Sequence, residues 1–259
     1  MNTVWALATV VIKELYRRKD FYVLFVLTAL VTLAASSVNF FDDVKIVRYV
    51  KDICLLLIWL STLIIAVVTT ARQIPAEREN RTIFPLLAKP VSRGQVVLGK
   101  FLGCWLAAGL ALLFFYGFFV VVTGFRDTHL ALGAYGKAMI LQWMMLAVVI
   151  AMTLLGSVVF SAVSANATIC LIGIFGILFI GEHLAKLAAR QAEPVRSIMA
   201  TLFYCLPHIE LFDVRAQIVN DQALPGLVDC GLASLYAAAY AGALLYGTWL
   251  MFRRKSLST

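Results

Sequence analysis

Residues 94–101, GQVVLGKF, come closest to a motif that could do chemistry. Gly94, Gly99 and Lys100 satisfy most of G-x-x-x-x-G-K-[ST], the loop whose backbone amides cradle nucleotide phosphates. Phe101 stands where a Ser or Thr should hold magnesium, and Lys100 leads straight into an apolar run. The match is therefore interpreted as accidental, and the chain is predicted to bind no ATP itself. Lys100 is instead predicted to anchor a membrane span, with its ammonium among lipid headgroups.

Other side chains that could act on a substrate or hold a metal are scattered. The sequence has no H-E-x-x-H, G-x-S-x-G or paired-cysteine motif. The histidines are isolated and are interpreted as polar residues at the outer interface: His129, His183 and His208. Thioethers can bind soft copper, but three methionines without a His or Cys nearby indicate packing: Met144, Met145 and Met152. We predict neither a metal site nor a catalytic residue.

The composition indicates that water is not the main solvent of this chain. Of its 259 residues 62% are apolar and 14% are charged, and the mean hydropathy is +0.92. A run of roughly 18 to 25 apolar residues can cross about 30 Å of hydrocarbon. Six runs, the fifth of them short, are predicted to be transmembrane helices: 21–40, 53–71, 101–124, 138–160, 168–181 and 230–252.

The distribution of Lys and Arg orients these helices, because cytoplasmic segments hold the excess. With the amino terminus inside, the cytoplasmic segments hold 13 of the 22 basic residues and four of the 14 acidic ones. Both termini are then cytoplasmic. Residues 1–20 are predicted to form a helix at the inner interface or to lengthen the first span inward. The net charge of +8 is explained by this asymmetry and by anionic lipid, so nucleic-acid binding is not predicted.

The interior of the six spans carries no Asp, Glu, Lys, Arg or His. Ion-coupled transporters usually place such residues in the membrane, so energy for transport would have to come from elsewhere. An intramembrane enzyme or a channel would need polar residues that face each other. The one hint of this is Gln142, Thr153, Ser157 and Ser161, although Ser and Thr more often bond to their own helix backbone.

A charged stretch, residues 73–101, interrupts the apolar runs on the cytoplasmic side. Pro75 suits the first turn of a helix, and Pro85 and Pro90 prevent a long one. Ser92 and Gln95 have the spacing of a capping box, which predicts a new helix from Ser92 into the third span. An apolar patch among these charges indicates a partner: Ile83, Phe84, Leu86 and Leu87.

The string from Glu77 to Lys100 resembles the cytoplasmic loop of ABC-2-type permeases, the membrane subunits of ATP-binding-cassette transporters. The matching residues are Glu77, Glu79, Thr82, Leu86, Leu87, Pro90, Val91, Ser92, Arg93, Gly99 and Lys100. Arg81 departs from the family, where many members have Gly before the Thr. In that family the loop holds a coupling helix that docks on the ATPase subunit. The resemblance implies that the residues contacting the ATPase here are Glu77, Glu79, Thr82, Phe84, Leu87, Pro90 and Arg93.

The resemblance also implies a fold and an arrangement in the membrane. It implies an all-α, polytopic protein of one domain, 1–259, with an interfacial helix in 1–20 and a coupling loop in 72–100. An external loop with short helices is expected in 182–229, where LPHIELFDVR, residues 206–215, is similar to a segment of such permeases. Cys205 and Cys230 fall on that side, but their spacing does not require them to pair.

The function implied is that of a transporter subunit and not of an enzyme. The permease would export a substrate across the cytoplasmic (inner) membrane, with ATP and Mg on a cytoplasmic ABC ATPase subunit. It would act as a homodimer or heterodimer of permeases. The alternative is an ATPase-coupled membrane subunit for assembly or maturation of an extracytoplasmic enzyme, for example a copper-related one. The sequence does not identify the substrate.

Overall fold

The structure is a computed structural model that describes residues 3–17, 19–37, 43–79, 92–124, 131–188, 193 and 195–254. These residues form helices, turns and short connections, and no β-strand occurs among them. The α-helices are α1 Thr3–Arg17, α2 Lys19–Ser37, α3 Asp43–Ala71, α4 Pro75–Glu79, α5 Arg93–Gly124, α6 Leu132–Val159, α7 Val163–Ala188, α8 Val195–Cys205, α9 Arg215–Val219 and α10 Leu227–Arg254. A 3-10 helix, Ile209–Phe212, lies between α8 and α9. The prediction of an all-α fold is confirmed for the described residues.

Four segments of this part of the chain are long and apolar enough to cross a membrane. They are Arg48–Glu77, Arg93–Gly124, Leu132–Val159 and Leu227–Arg254. They contain the predicted spans 53–71, 101–124 and 230–252 in full, and the predicted span 138–160 except for its last residue. The first and fifth predicted spans correspond to shorter apolar helices, Phe21–Ala34 and Val163–Phe179. The chain is therefore a membrane protein with several apolar helices.

Helices α3, α5 and α6 form the centre of the bundle, and each packs against the other two. A chain of buried hydrogen bonds crosses this centre. Gln142 Nε2 of α6 donates to Thr62 Oγ1 of α3 at 2.9 Å, and the Tyr116 hydroxyl of α5 donates to Gln142 Oε1 at 3.0 Å. Hydrogen bonds between helices add to van der Waals packing in holding helices together in an apolar medium.

Helix α1 packs on α5 at two glycines. A Cβ on Gly99 would lie 2.8 Å from Leu7 Cβ, and a Cβ on Gly103 would lie 2.8 Å from Val11 Cβ. Only a residue without a side chain allows this close approach. Three exposed polar residues of α1 are spaced by four and therefore share one face: Thr9, Lys13 and Arg17. The interfacial position of α1 stays a prediction.

Helix α7 begins at Val163 and continues to Ala188, so it is longer at both ends than the predicted span 168–181. The residues after the predicted end at 181 are helical as far as Ala188. The short elements α8, the 3-10 helix and α9 follow it. α9 packs against α3, where the Arg215 guanidinium lies 4.7 Å from the centre of the Trp59 ring. The external location of this segment stays a prediction.

Candidate functional site

Lys100 lies in a polar cluster between α5 and the start of α4, and not among lipid headgroups. Its Nζ donates to Glu77 Oε1 at 2.6 Å and to Gln73 Oε1 at 3.2 Å. The Lys100 residue is only 4% exposed. The prediction of a headgroup anchor is therefore wrong, because the turn after α3 brings a carboxylate and an amide to the ammonium before it can reach solvent.

The ion pair between Lys100 and Glu77 is largely buried. The Lys100 side chain is 5% exposed and that of Glu77 is 24% exposed. Removing one partner of a buried ion pair leaves an uncompensated charge, which costs about 3 kcal/mol or more. Gln73 is itself held, since its Nε2 donates to the Thr69 carbonyl at 3.3 Å. The cluster thus fixes α4 and the end of α3 to α5.

Arg93, the first residue of α5, binds the carboxyl end of α10. Its guanidinium donates to the Phe252 carbonyl at 2.6 Å and to the Arg253 carbonyl at 3.1 Å, and its Cζ lies 5.6 Å from the centre of the Phe252 ring. The last carbonyls of a helix have no partner within it, and the negative end of its dipole attracts a cation. Arg93 supplies both the donors and the charge, so the start of α5 is tied to the end of α10.

The predicted capping box in front of α5 is confirmed. The Ser92 amide donates to Gln95 Oε1 at 2.9 Å, and the Gln95 amide donates to Ser92 Oγ at 3.2 Å. The helix expected to begin at Pro75 is also present, as α4. Residues 80–91 therefore connect two fixed ends: Glu77 on Lys100 before them, and Arg93 on α10 after them. We call Gln73, Glu77, Lys100 and Arg93 the loop-anchor cluster.

Four of the residues predicted to contact an ATPase lie outside the described residues: Thr82, Phe84, Leu87 and Pro90. Glu79 is the last residue of α4, and the position of its side chain is not described. Glu77 and Arg93 both have partners within this chain. Their role as ATPase contacts stays a prediction. In the structure, Glu77 bonds to Lys100 and Arg93 bonds to the end of α10.

Sequence reasoning missed Gln73, Lys100 and the end of α10 as parts of this site. The sequence did contain a signal for Gln73 and Lys100. Gln73 and Glu77 are four residues apart, and a lysine at the edge of an apolar run needs a partner when it is buried. No signal in the sequence indicated that Arg93 would meet Phe252, which is 159 positions away.

The polar residues of the fourth span do not form an open reactive site. Thr153 Oγ1 donates to the Val149 carbonyl at 2.8 Å and Ser157 Oγ to the Leu154 carbonyl at 2.6 Å, so both bond to their own helix as expected. Gln142 differs, because its amide joins α3 to α5 across the bundle centre. Gln142, Thr153 and Ser157 therefore each have a hydrogen-bond partner within the protein.

A second ion pair lies at the opposite end of the bundle, before α9. Arg215 Nε and Nη2 donate to the two carboxylate oxygens of Asp213 at 2.8 and 2.7 Å. Burial raises the pKa of Asp213, but these bonds and the Arg215 charge outweigh it and hold the pKa below its ordinary value. The arginine also covers the Trp59 ring, so the pair holds α9 against α3.

Comparison with known proteins places nearly the whole chain in one family. A family model described as "ABC-2 family transporter protein" matches residues 5–257. No curated protein matches the chain. The matched range includes all of the described helices except the first residues of α1, as well as both ends of the loop 80–91. The chain therefore belongs to the ABC-2 family of transporter membrane proteins.

Proposed function

We propose that this chain is the permease subunit of an ABC transporter and exports a substrate across the cytoplasmic (inner) membrane. A separate cytoplasmic subunit binds ATP and Mg and hydrolyses the ATP, and the permease acts as a homodimer or heterodimer. Membership of the ABC-2 family supports this function, since such permeases work with a cytoplasmic ATPase. The chain itself is a transport subunit and carries no catalytic residue.

The proposed topology has six spans with both termini in the cytoplasm. Four long apolar segments support four of the spans. α2 has 19 residues, which at 1.5 Å per residue gives about 28 Å, close to the thickness of the hydrocarbon. α7 is longer, with 26 residues. The excess of Lys and Arg in the segments placed inside supports the orientation.

The observation that carries the proposed mechanism is the pair of anchors at the two ends of residues 80–91. An ATPase subunit that pushes on this loop would move α4 and α5 together, because the Glu77–Lys100 bond at 2.6 Å joins them. It would also move α10, because Arg93 holds its last carbonyls. Through these contacts, a displacement of the loop would move the attached helices as rigid bodies. We infer that the loop-anchor cluster transmits the motion of the ATPase.

The proposal is tested by purifying the full-length protein from membranes of its native host and identifying the subunits that remain bound. We expect an ATPase with Walker motifs to copurify. Phe84→Asp, which places a charge in the apolar patch of the loop, should lower ATPase recovery and ATP hydrolysis at least tenfold, because a desolvated charge opposes docking. Insertion of the permease in the membrane should be unchanged.

Phe84→Leu is the matched control, since it keeps the patch apolar at the same position. It should retain most of the ATPase, on the order of half or more, because apolar exchanges of similar volume cost little. Equal loss of the ATPase in both variants would show that the charge is not the cause. An ATPase that stays bound and fully active in Phe84→Asp would refute the role of this loop, and the absence of any ATPase in the wild-type preparation would refute the function.

A further inference from the structure

Asn166, in the first turn of α7, is a fully buried polar residue outside the loop-anchor cluster. The residue is 0% exposed. Its side-chain nitrogen donates to the Ala71 carbonyl of α3 at 3.4 Å and to the Thr153 carbonyl of α6 at 3.3 Å. Its Oδ1 accepts the Cys170 thiol at 3.3 Å. The nitrogen and the oxygen of this amide therefore both have partners, and one side chain joins three helices.

The Ala71 carbonyl can use a donor from α7 because of Pro75. Ala71 is the last residue of α3, and within a helix a carbonyl accepts the amide four residues later. The residue four positions after Ala71 is Pro75, which has no N–H. The Gln73 amide donates to the Thr70 carbonyl instead. The amide of Asn166 therefore fills a position that the local sequence leaves open.

The space around this amide leaves no room for another side chain. A Cβ on Gly156 of α6 would overlap Asn166 Oδ1 and would lie 3.1 Å from Cys170 Sγ. Gly156 therefore has to lack a side chain for Asn166 to reach both carbonyls. Because Asn166 has no exposed surface, solvent does not compete for its bonds, and removing the amide leaves a buried carbonyl without its donor.

These bonds reach a helix that the loop-anchor cluster does not hold. The cluster fixes α4 and the end of α3 to α5, and it fixes α5 to the end of α10. In the described part of the chain, α7 packs against α3, α6 and the short elements that follow it, and no extended contact joins it to α5 or α10. The contacts described for α7 therefore lead back to the loop through α3 or α6, and Asn166 bonds to both.

The path from the cluster to Asn166 is short. Gln73, whose Oε1 accepts Lys100 Nζ at 3.2 Å, follows Ala71 by two residues in the chain. A movement of Lys100 and Gln73 is passed to the Ala71 carbonyl through the planar peptide units between them. From that carbonyl it continues through the amide of Asn166 to the first turn of α7.

We propose that Asn166 is a positioning residue that passes a displacement of residues 80–91 to α7. This inference rests on the proposed function, since the displacement comes from the ATPase subunit. Asn166 has no exposed surface, so it acts through the carbonyls of Ala71 and Thr153 and not on a substrate. Without its bonds, α7 keeps its apolar packing but no longer follows the end of α3.

The test follows single helices in the full-length permease with the ATPase subunit that copurifies. Hydrogen–deuterium exchange is compared with and without Mg-ATP and vanadate at the ends of α5 and α7 remote from the loop, residues 118–124 and 180–188. In the wild type, deuterium uptake in both segments should change when the ATPase is trapped. In Asn166→Leu the change in 180–188 should fall about fivefold or more, because a side chain of similar shape without donors replaces the amide. The change in 118–124 and the recovery of the ATPase should stay as in the wild type.

Gly156→Ala is a second variant, which keeps the donors of Asn166 but displaces its amide with the added Cβ. It should lose the response of 180–188 as Asn166→Leu does. Asn166→Ala makes room for this Cβ, so adding Gly156→Ala to it should have no further effect on the response. Asn220→Leu is the matched control, because Asn220 is exposed and bonds to the nearby Ala216 carbonyl. It should respond as the wild type does.

A wild-type response of 180–188 in both Asn166→Leu and Gly156→Ala would overturn the role of Asn166. So would a parallel loss of the response in 118–124 and of ATPase recovery, because Asn166 would then support only the fold. A wild type in which 118–124 responds and 180–188 does not would also overturn it, while leaving the proposed function intact. Failure of the proposed function is distinguished by the absence of an ATPase, or of any response in either segment, in the wild type, and it would overturn both proposals.

Discussion

The two ends of the bundle each carry a short ion pair, and the two pairs are built differently. Lys100 and Glu77 are 23 positions apart and meet at 2.6 Å, with side chains 5% and 24% exposed. Arg215 and Asp213 are two positions apart and meet at 2.7 Å, with side chains 23% and 28% exposed. The first pair joins α4 to α5, whereas the second lies within one turn and also holds α9 against α3 through the Trp59 ring.

This difference determines how much free energy the loss of each ion pair costs. A pair between distant segments closes the space between them, and its loss leaves a charge that water reaches poorly. A local pair in partial contact with water gives little net energy, typically 0 to about 1 kcal/mol. The Lys100–Glu77 pair is therefore expected to contribute more to the free energy of unfolding than the Arg215–Asp213 pair.

Lys100→Met should have the largest effect, because it removes the charged donor that Lys100 supplies to the Glu77 carboxylate and the Gln73 amide. We expect the free energy of unfolding to fall by about 3 kcal/mol. We also expect the rate of coupled ATP hydrolysis to fall. The measurement is denaturant unfolding of the purified protein, with hydrolysis assayed in the intact complex.

The exposed Lys13 offers the control for this change, and Lys13→Met should shift stability by less than about 0.5 kcal/mol. The double variant Lys100→Met with Glu77→Met should recover much of the stability, because it also removes the carboxylate that has lost its lysine. Coupled hydrolysis should stay low in it if the joint itself is needed. Full activity of Lys100→Met would contradict the role of the cluster.

Arg93→Gln tests the second anchor at the same end and should have an intermediate effect. It removes a charged donor from the last carbonyls of α10, worth about 1.5 to 2 kcal/mol. Coupled hydrolysis should fall while the permease stays inserted and folded. Arg93→Lys keeps the charge but loses the planar fork, so it should fall between the wild type and Arg93→Gln. The order of the three proteins in a hydrolysis assay checks this, and equal activities would refute the anchor.

Asp213→Asn should have the smallest effect, less than about 1 kcal/mol, because the pair with Arg215 is partly exposed. The pKa of Asp213 is lowered in the folded protein, so its contribution is present above the ordinary value of 3.8 and is lost as the pH falls through the folded pKa. The unfolding temperatures of wild type and variant should therefore differ near pH 6 and converge as the pH drops below about 3.8. A constant difference over this range would show that the carboxylate charge is not the cause.

Predictions from local sequence patterns were confirmed where the interacting residues lie within one turn or one helix. The capping box at Ser92 and Gln95 and the helix start at Pro75 depend on residues within a single turn, and both are present. The same holds for Thr153 and Ser157, which bond to their own helix. The prediction for Lys100 was wrong because its environment depends on Gln73 and Glu77, which reach it only when α3, α4 and α5 are packed.

The amino-acid sequence by itself determined that the protein is helical and lies in a membrane, because apolar length and the positions of Lys and Arg depend on composition along the chain. It also indicated the ABC-2 family through the string from Glu77 to Lys100. Only the tertiary structure decided that Arg93 holds the end of α10, that Gln142 joins three helices, and that Lys100 meets Glu77. These contacts join residues far apart in the chain, and no periodicity encodes which distant side chains will meet once the helices are packed.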